Sequence, residues 1–295
     1  MKKLSIVPLN LLQAKSLVGN YHDYISRIVV GNNTFALRQS YDFSLEEISN
    51  IMGLLDNFNT KIYVSVNKLF HNNQLEELKE YLIQLDKIGI DGIIFSDFCV
   101  QYIVEENNLN LNLEYSTETT ITNNSFSKFA NENNISSIDL AREITLEEVN
   151  YILENKECEV AIQIHGYIYM YQSVRNIVDN FKKYQDIEFE TNNLKLYDEE
   201  RDVYYPIIQN EQGTHVLAST YLSMIDNLED INLDQVDYLK IESLGYTLDQ
   251  YNKIIKLYID KLNNLNNKTN YLEDIKEINK EIKYSTGFYY KKTTF

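Results

Sequence analysis

An α/β chain folded as a (β/α)₈ barrel, TIM-like, is the fold class this sequence predicts, on three observations. Eight short β-branched or apolar runs alternate with longer stretches of helical period, polar residues follow the runs where barrel active sites are built, and one strand-rich interruption falls between the seventh and eighth runs. The runs are 4–8 (LSIVP), 27–31 (RIVVG), 61–66 (KIYVSV), 92–96 (GIIFS), 111–115 (LNLEY), 137–141 (SIDLA), 160–166 (VAIQIHG) and 237–242 (DYLKIE). Near-continuous apolar runs suit parallel strands, which are covered on both faces.

The helical stretches carry their own start signals. Ser44 stands three residues before Glu47, and Thr145 three before Glu148, the spacing of a capping box. Leu75, Leu78, Leu82 and Leu85 put one apolar stripe on a helix over 74–88, and 248–265 is amphipathic in the same way. Between 184 and 216 the rhythm breaks into the strand-like pieces 187–191, 193–198 and 203–209, with a turn at 210–213, which predicts a small β insertion. The expected organisation is a barrel over 1–262 that contains this insertion, and a C-terminal helix and tail over 263–295 packed on it.

Composition narrows the function. With 295 residues and 44% hydrophobic content, the chain can bury a large core unaided. Met1-Lys2-Lys3 leads only into a short apolar run broken by Pro8 and Asn10. No stretch reaches the ~18 apolar residues of a membrane span, so a cytoplasmic location without membrane contact is expected. The net charge of −17, from 44 acidic and 27 basic residues, opposes unaided binding to a polyanion. Cys99 and Cys158 lie far apart, which allows neither a disulfide framework nor a four-thiolate metal site. The 24 tyrosines accompany abundant Asn, Ile and Lys and carry no functional weight as a group.

Common motifs are absent. The nine glycines form neither GxxxxGK[ST] nor GxGxxG, which excludes the usual phosphate-cradling loops. His22, His71, His165 and His215 show no HExxH spacing, and no GxSxG elbow occurs. Barrel geometry instead directs attention to the residues that follow each strand. These are Asn67, Asp97, the run Ser116 to Thr120, Arg142-Glu143, His165 and Glu242, with Arg38 shortly after the second strand. Each has a plainer alternative: Arg142 and Glu143 as neighbours guiding the chain into a helix, His165 as a satisfied core histidine, the Ser/Thr run as a cap.

Several segments together resemble the peptidase U32, or collagenase-like peptidase, family. They are GIDGIIFSD (89–97), LEYSTETTITN (113–123), LAREITLEEV (140–149), QIHGYIYMYQSVRNIV (163–178), YYPIIQNEQGTH (204–215), YLKIE (238–242) and TGF (286–288). The pair ARE-x-[ST]-LEE and HG-x₆-S-x-R is more specific than either alone. The chain is most similar to compact members found beside a longer paralogue. The resemblance implies a barrel-like catalytic domain and, in several members, hydroxylation of tRNA wobble uridine or of a quinone precursor with an iron–sulfur cluster held by four cysteines. Here the positions expected to be cysteine are Tyr169, Asn176 and, after the SxxDL-like element, Ser223; the CxQPC-like segment is missing, and Ser243-Leu244-Gly245 replaces the usual Gly-Arg.

The resemblance therefore implies a subunit that binds no cofactor itself. Any iron–sulfur cluster belongs to the longer family paralogue, its expected partner, and tRNA is met through the complex. Arg38, Glu118, Arg142, Glu143, His165, Ser173, Arg175 and Glu242 match the family's polar positions. His165 and Glu143 are then the expected proton-transfer residues. Arg38, Arg142 and Arg175 are expected to clamp a small acid, and Glu118 and Glu242 complete the substrate contacts. A peptidase, metal-assisted or not, and a structural subunit with a decayed pocket remain the alternatives.

Overall fold

The computed structural model describes residues 3–55, 58–190, 194–265 and 269–292. From the N-terminus, strands β1 (Leu4–Ile6), β2 (Ile25–Gly31), β3 (Lys61–Val66), β4 (Gly92–Phe95), β5 (Asn112–Tyr115), β6 (Ser137–Asp139) and the first half of β7 (Glu159–Ser173) pair in parallel in chain order. Helices α1 (Leu11–Tyr21), α2 (Leu45–Leu55), α3 (Leu75–Ile88), α4 (Phe98–Glu106), α5 (Ser125–Glu132) and α6 (Leu146–Glu154) connect them. After β7 come α7 (Ile177–Gln185), β8 (Lys195–Asp198), β9 (Val203–Asn210) and β10 (Gly213–Ser223). The eighth barrel strand, β11 (Tyr238–Ile241), pairs with both β1 and β7 and closes the ring. Helices α8 (Leu248–Asn263) and α9 (Tyr271–Ile278) and the short β12 (Tyr284–Ser285) end the described chain. The predicted (β/α)₈ barrel is thus the observed fold.

The elements form for local reasons. Every residue of β4 and of β11 is buried, as a parallel strand between helices requires. At α6 the Thr145 hydroxyl accepts from the Glu148 N–H at 3.3 Å while the Glu148 carboxylate accepts from the Thr145 N–H at 2.7 Å. Such a cap is worth ~1 kcal/mol. Ser44 and Glu47 make the same reciprocal pair at α2. Asp226 caps α9 by accepting from the Tyr271 and Leu272 N–H groups at 2.9 and 3.2 Å.

The insertion differs in outline from the expected one. β7 does not stop at Gly166 but continues to Ser173, where its second half pairs antiparallel with β10; β10 pairs with β9, and β9 with β8. The ribbon therefore rises directly out of the barrel wall. The strand expected over 187–191 is irregular over 187–190, and Thr191 lies outside the described residues. Asp186, in the left-handed region at φ 52°, ends α7 just before it.

The barrel interior is layered. The main core lies between the strands and the helices, whereas inside the ring Val29, Tyr63 and Ile94, with Val7, form a small apolar layer. Below that layer the fully buried Arg27 meets both carboxylate oxygens of the equally buried Glu114, at 2.5 and 3.0 Å. Arg27 also donates to Ser5 Oγ at 2.8 Å and lies 3.8 Å from the Tyr238 ring centroid. Above it, at the C-terminal end of the strands, the interior becomes polar again.

Candidate functional site

That upper polar layer opens into a cleft of about 820 Å³, open solvent included, whose walls include Arg38, Asn67, Ser116, Glu118, Gln163, Tyr169, Lys240 and Glu242. Alternation along the strands explains the set. Ser116 directly follows β5, Gln163 lies on β7 and Lys240 on β11, each turned toward the barrel axis. The floor is Asp139 at the end of β6, fully buried. It accepts from both terminal nitrogens of Arg142 at 2.7 Å each, from Lys240 at 2.6 Å and from Ser116 at 2.8 Å. Burial alone would raise the Asp139 carboxyl, but Arg142 and then Lys240 outweigh it and hold it well below the usual carboxylate range.

Arg38 and Glu118 form the rim, with a 2.6 Å ion pair. Both occupy the left-handed region, at φ 56° and 65°. Non-glycine residues there carry ~1–3 kcal/mol of strain, so surrounding contacts must hold them. The Glu118 carbonyl accepts from the Arg142 N–H at 3.0 Å, and the Leu37 N–H beside Arg38 donates to Asn67 Oδ1 at 2.9 Å. The guanidinium of Arg38 also lies over the Tyr169 ring, 3.9 Å from its centroid. Burial works against the charge on Glu118, but Arg38, then Arg142 and Lys240, hold its carboxyl below its ordinary value. Two buried donors lack a protein partner, Arg38 Nη1 on the cleft wall and Arg142 Nε beneath it, outside the lining. A carboxylate with free lone pairs is the natural complement of such donors.

The structure brings together some of the expected site residues and separates others. Arg38, Glu118 and Glu242 line the cleft, and Arg142 lies at its floor. Arg175 is exposed at the far tip of β7 and Glu143 is exposed before α6; neither lines the cleft. His165 is fully buried but faces outward, with its ring nitrogens 3.2 Å from the Tyr258 hydroxyl of α8 and 2.9 Å from the Tyr246 hydroxyl. Burial pushes it down to about 3. The cause of its direction is a register shift: Lys240 stands opposite Gln163, but the next residue, Ile241, stands opposite His165. The extra residue interrupts the alternation that would have turned His165 inward. In this geometry a proton-transfer role for His165 at the mouth lacks a path, and the satisfied core histidine describes its surroundings.

Gly166 follows His165 within β7. Its φ of 123° and the Glu242 Cβ only 2.5 Å from where a side chain would start leave room for glycine alone.

Asp139, Lys240 and Gln163 were missed as site residues, although a charge within a buried strand, as in SIDLA and YLKIE, is a legible signal that it must be paired. His215 was also passed over. It is fully buried on β10, 6.3 Å between ring centroids from Tyr169, with neither ring nitrogen partnered in the protein. Burial, then Arg38, pushes it down to about 4.

The donor set does not suit an iron–sulfur cluster. The Tyr169 hydroxyl donates to Gln172 at 2.7 Å, Asn176 is exposed, and Ser223 is buried 3.4 Å from the Tyr258 hydroxyl. Cys99 and Cys158 lie elsewhere, at the start of α4 and just before β7, and burial pushes both thiols up to about 12. Among the described residues no group of three His, Cys, Asp or Glu is placed to hold a metal ion, and no helix is long and apolar enough to cross a membrane.

Fold and site together define a (β/α)₈ barrel with an ion-paired mouth covered on one side by a β ribbon. The chain belongs to Peptidase family U32, which matches residues 12–295. It is 32% identical over 284 residues to tRNA hydroxylation protein P2 of Bacillus subtilis, covering 90% of this chain and 91% of that protein. It is 24% identical over 262 residues to tRNA hydroxylation protein P1 of the same organism, covering 84% of this chain but only 62% of that longer protein. Among solved structures it is similar in fold to the U32 peptidase Mk0906, with a TM-score of 0.51 at 14% identity over 83% of this chain and 94% of the other.

Proposed function

We propose that this chain is the cluster-free subunit of a two-protein assembly that 5-hydroxylates tRNA wobble uridine, with a longer family member supplying the cluster and most of the RNA-facing basic surface. The observation that carries the proposal is a mouth whose ion pairs are intact while all three expected cysteine positions lack sulfur. Support comes from relatives named for tRNA hydroxylation, one short and one longer in a single organism. A net charge of −17 also suits a subunit that leaves phosphate contact to a basic companion.

Within this function the mouth binds a small acid. Arg38 and Lys240 face the acid, Arg142 beneath them anchors Asp139, and Glu118 and Asp139 fix the cations in place. Arg175, at the tip of the ribbon, lies outside this clamp. A peptidase reading draws less from the geometry, since neither buried histidine lines the cleft and both thiols are held protonated.

The test is deletion of the gene followed by mass spectrometry of bulk tRNA, with complementation. Loss of 5-hydroxylated wobble uridine, restored by wild type and by Arg175→Ala but not by Arg38→Ala, is expected. Unchanged modification after deletion would sink the proposal.

A further inference from the structure

Exposed apolar surface is concentrated on one part of the molecule. Of the nineteen large apolar side chains exposed among the described residues, eleven fall between Met170 and Tyr204. Helix α7 carries Ile177, Phe181 and Tyr184 at i, i+4 and i+7, which is one face, yet it buries only Val178. Tyr184 is 86% exposed. A nine-residue helix gains most of its stability from packing an apolar face, and here that face is turned outward. Helix α7 is tied to the ribbon at β10 and β9, its Ile177 and Val178 N–H groups donating to Thr214 and Gln209; at the far edge of the same ribbon β8 pairs with β9 and leaves Leu196 exposed. With whole aromatic side chains at ~150–250 Å², the exposed parts of the eleven residues add up to roughly 1,000 Å² over the ribbon and α7 together, against the ~800 Å² that each partner buries in a stable interface. Exposed apolar area concentrated in this way on a soluble protein marks an interaction surface.

Charge discriminates among occupants. From 174 to 206 the sequence carries eight Asp and Glu against five Lys and Arg, which disfavours an RNA backbone on this face. A second copy brings another −17 and the same acidic rim. A protein with an apolar surface rimmed by lysine and arginine matches both features. The position also matters, because β7 presents Tyr167 and Tyr169 to the mouth and then Met170 and Tyr171 to the exposed face.

We propose that the outer tip of β7, α7 and β8 form the docking face for the longer family member, seating it at the rim of the barrel mouth. This rests on the two-subunit function proposed above. A docked subunit bridges the ribbon and the mouth, so its own reactive group reaches the acid held by Arg38 and Lys240.

The experiment uses the full chain and the longer family member encoded in the same genome. Complex formation is followed by light scattering, and the interface by hydrogen exchange, for wild type, Phe181→Asp/Tyr184→Asp, Tyr184→Asp alone and Arg38→Ala. Expected are a complex with wild type and Arg38→Ala, slowed exchange within 170–204, and at least a tenfold loss of affinity for the double variant with an unchanged melting curve. Tyr184→Asp, at a position almost wholly in solvent, keeps the test valid if the double variant misfolds, and weakens binding by a smaller factor. A complex that forms with 170–204 unprotected and the variants binding normally overturns the docking face while leaving the two-subunit function standing. No complex at all overturns both. Protection of this face by self-association or by tRNA alone assigns it to another occupant and likewise overturns the proposal.

Discussion

Replacing Glu114 with Gln tests how the barrel interior tolerates charge. Glu114 and Arg27 are both fully buried, and two of the guanidinium nitrogens meet the two carboxylate oxygens at 2.5 and 3.0 Å. Ser137 donates to Glu114 at 3.0 Å, and Ser5 accepts from Arg27 at 2.8 Å, so the pair has no water to fall back on. Glu114→Gln leaves the guanidinium uncompensated and turns an amide N–H toward its donors. Removing one partner of such a pair costs ~3–5 kcal/mol. The Tyr238 and Tyr63 rings, 3.8 and 4.9 Å from Arg27, are present in both proteins and leave this difference unchanged. The loss is therefore about 4 kcal/mol, which at ~2–4 °C per kcal/mol lowers Tm by roughly 10 °C. The companion Arg27→Met/Glu114→Leu removes both charges and is expected within ~1 kcal/mol of wild type, because desolvation of the pair largely cancels its attraction. Urea unfolding of the three proteins measures both. A loss below about 1 kcal/mol for Glu114→Gln, or a double variant less stable than the single, would refute the reasoning.

Acid should destabilise the fold before its carboxylates titrate. Burial holds His165 down to about 3 and His215 to about 4, against ~6.5 for a free histidine. The unfolded chain therefore binds more protons between those values, and the stability from keeping both rings neutral is complete above pH ~6.5 and lost as pH falls toward 4. A loss of about 1–3 kcal/mol between pH 7 and pH 5 is expected in urea titrations, shallower in His215→Phe; a flat profile contradicts it. Gly166→Ala places a Cβ 2.5 Å from the Glu242 Cβ at φ 123°, so a cost of ~2–4 kcal/mol from strain and overpacking is expected by thermal melting, with Glu242 displaced from the mouth. Cys99 and Cys158, with thiols pushed up to about 12, should resist iodoacetamide at pH 8 in the folded protein and react in urea, as counted by mass spectrometry; rapid labelling of the native chain would contradict their burial.

The barrel was legible because parallel strands buried on both faces leave unbroken apolar runs. KIYVSV was expected over 61–66, and β3 spans those residues. Thr145 with Glu148 fixed the start of α6 in the same local way. The second half of β7 was not legible as strand, because YIYMYQS pairs only through β10, some forty residues on. The orientation of His165 was hidden for a related reason. It depends on how β11 registers against β7, and a one-residue shift in a distant strand decides which face a histidine takes. Arg27 with Glu114, and Lys240 with Asp139, were visible as charges in apolar runs, but their pairing across 87 and 101 positions is set only when the ring closes.

On the proposed reading, the mouth would select a small acid by geometry rather than by excess charge. Arg38, Arg142 and Lys240 face Glu118, Asp139 and Glu242, so the local formal charge cancels. What remains is direction: Arg38 Nη1 and Arg142 Nε are buried donors without a protein acceptor, and Lys240 is 3.8 Å from Glu242 after satisfying Asp139. A carboxylate in the cleft would meet Arg38 and Lys240 on its wall without displacing the ion pairs that hold them. Water at the same donors competes less well once the cleft is covered, since a lower dielectric strengthens charge-assisted bonds. The ribbon side of the cleft is lined by Tyr167, Tyr169 and Leu217. The strand that carries both tyrosines continues into the exposed Met170 and Tyr171, so on the proposed docking a partner seated there would also shield the mouth from water.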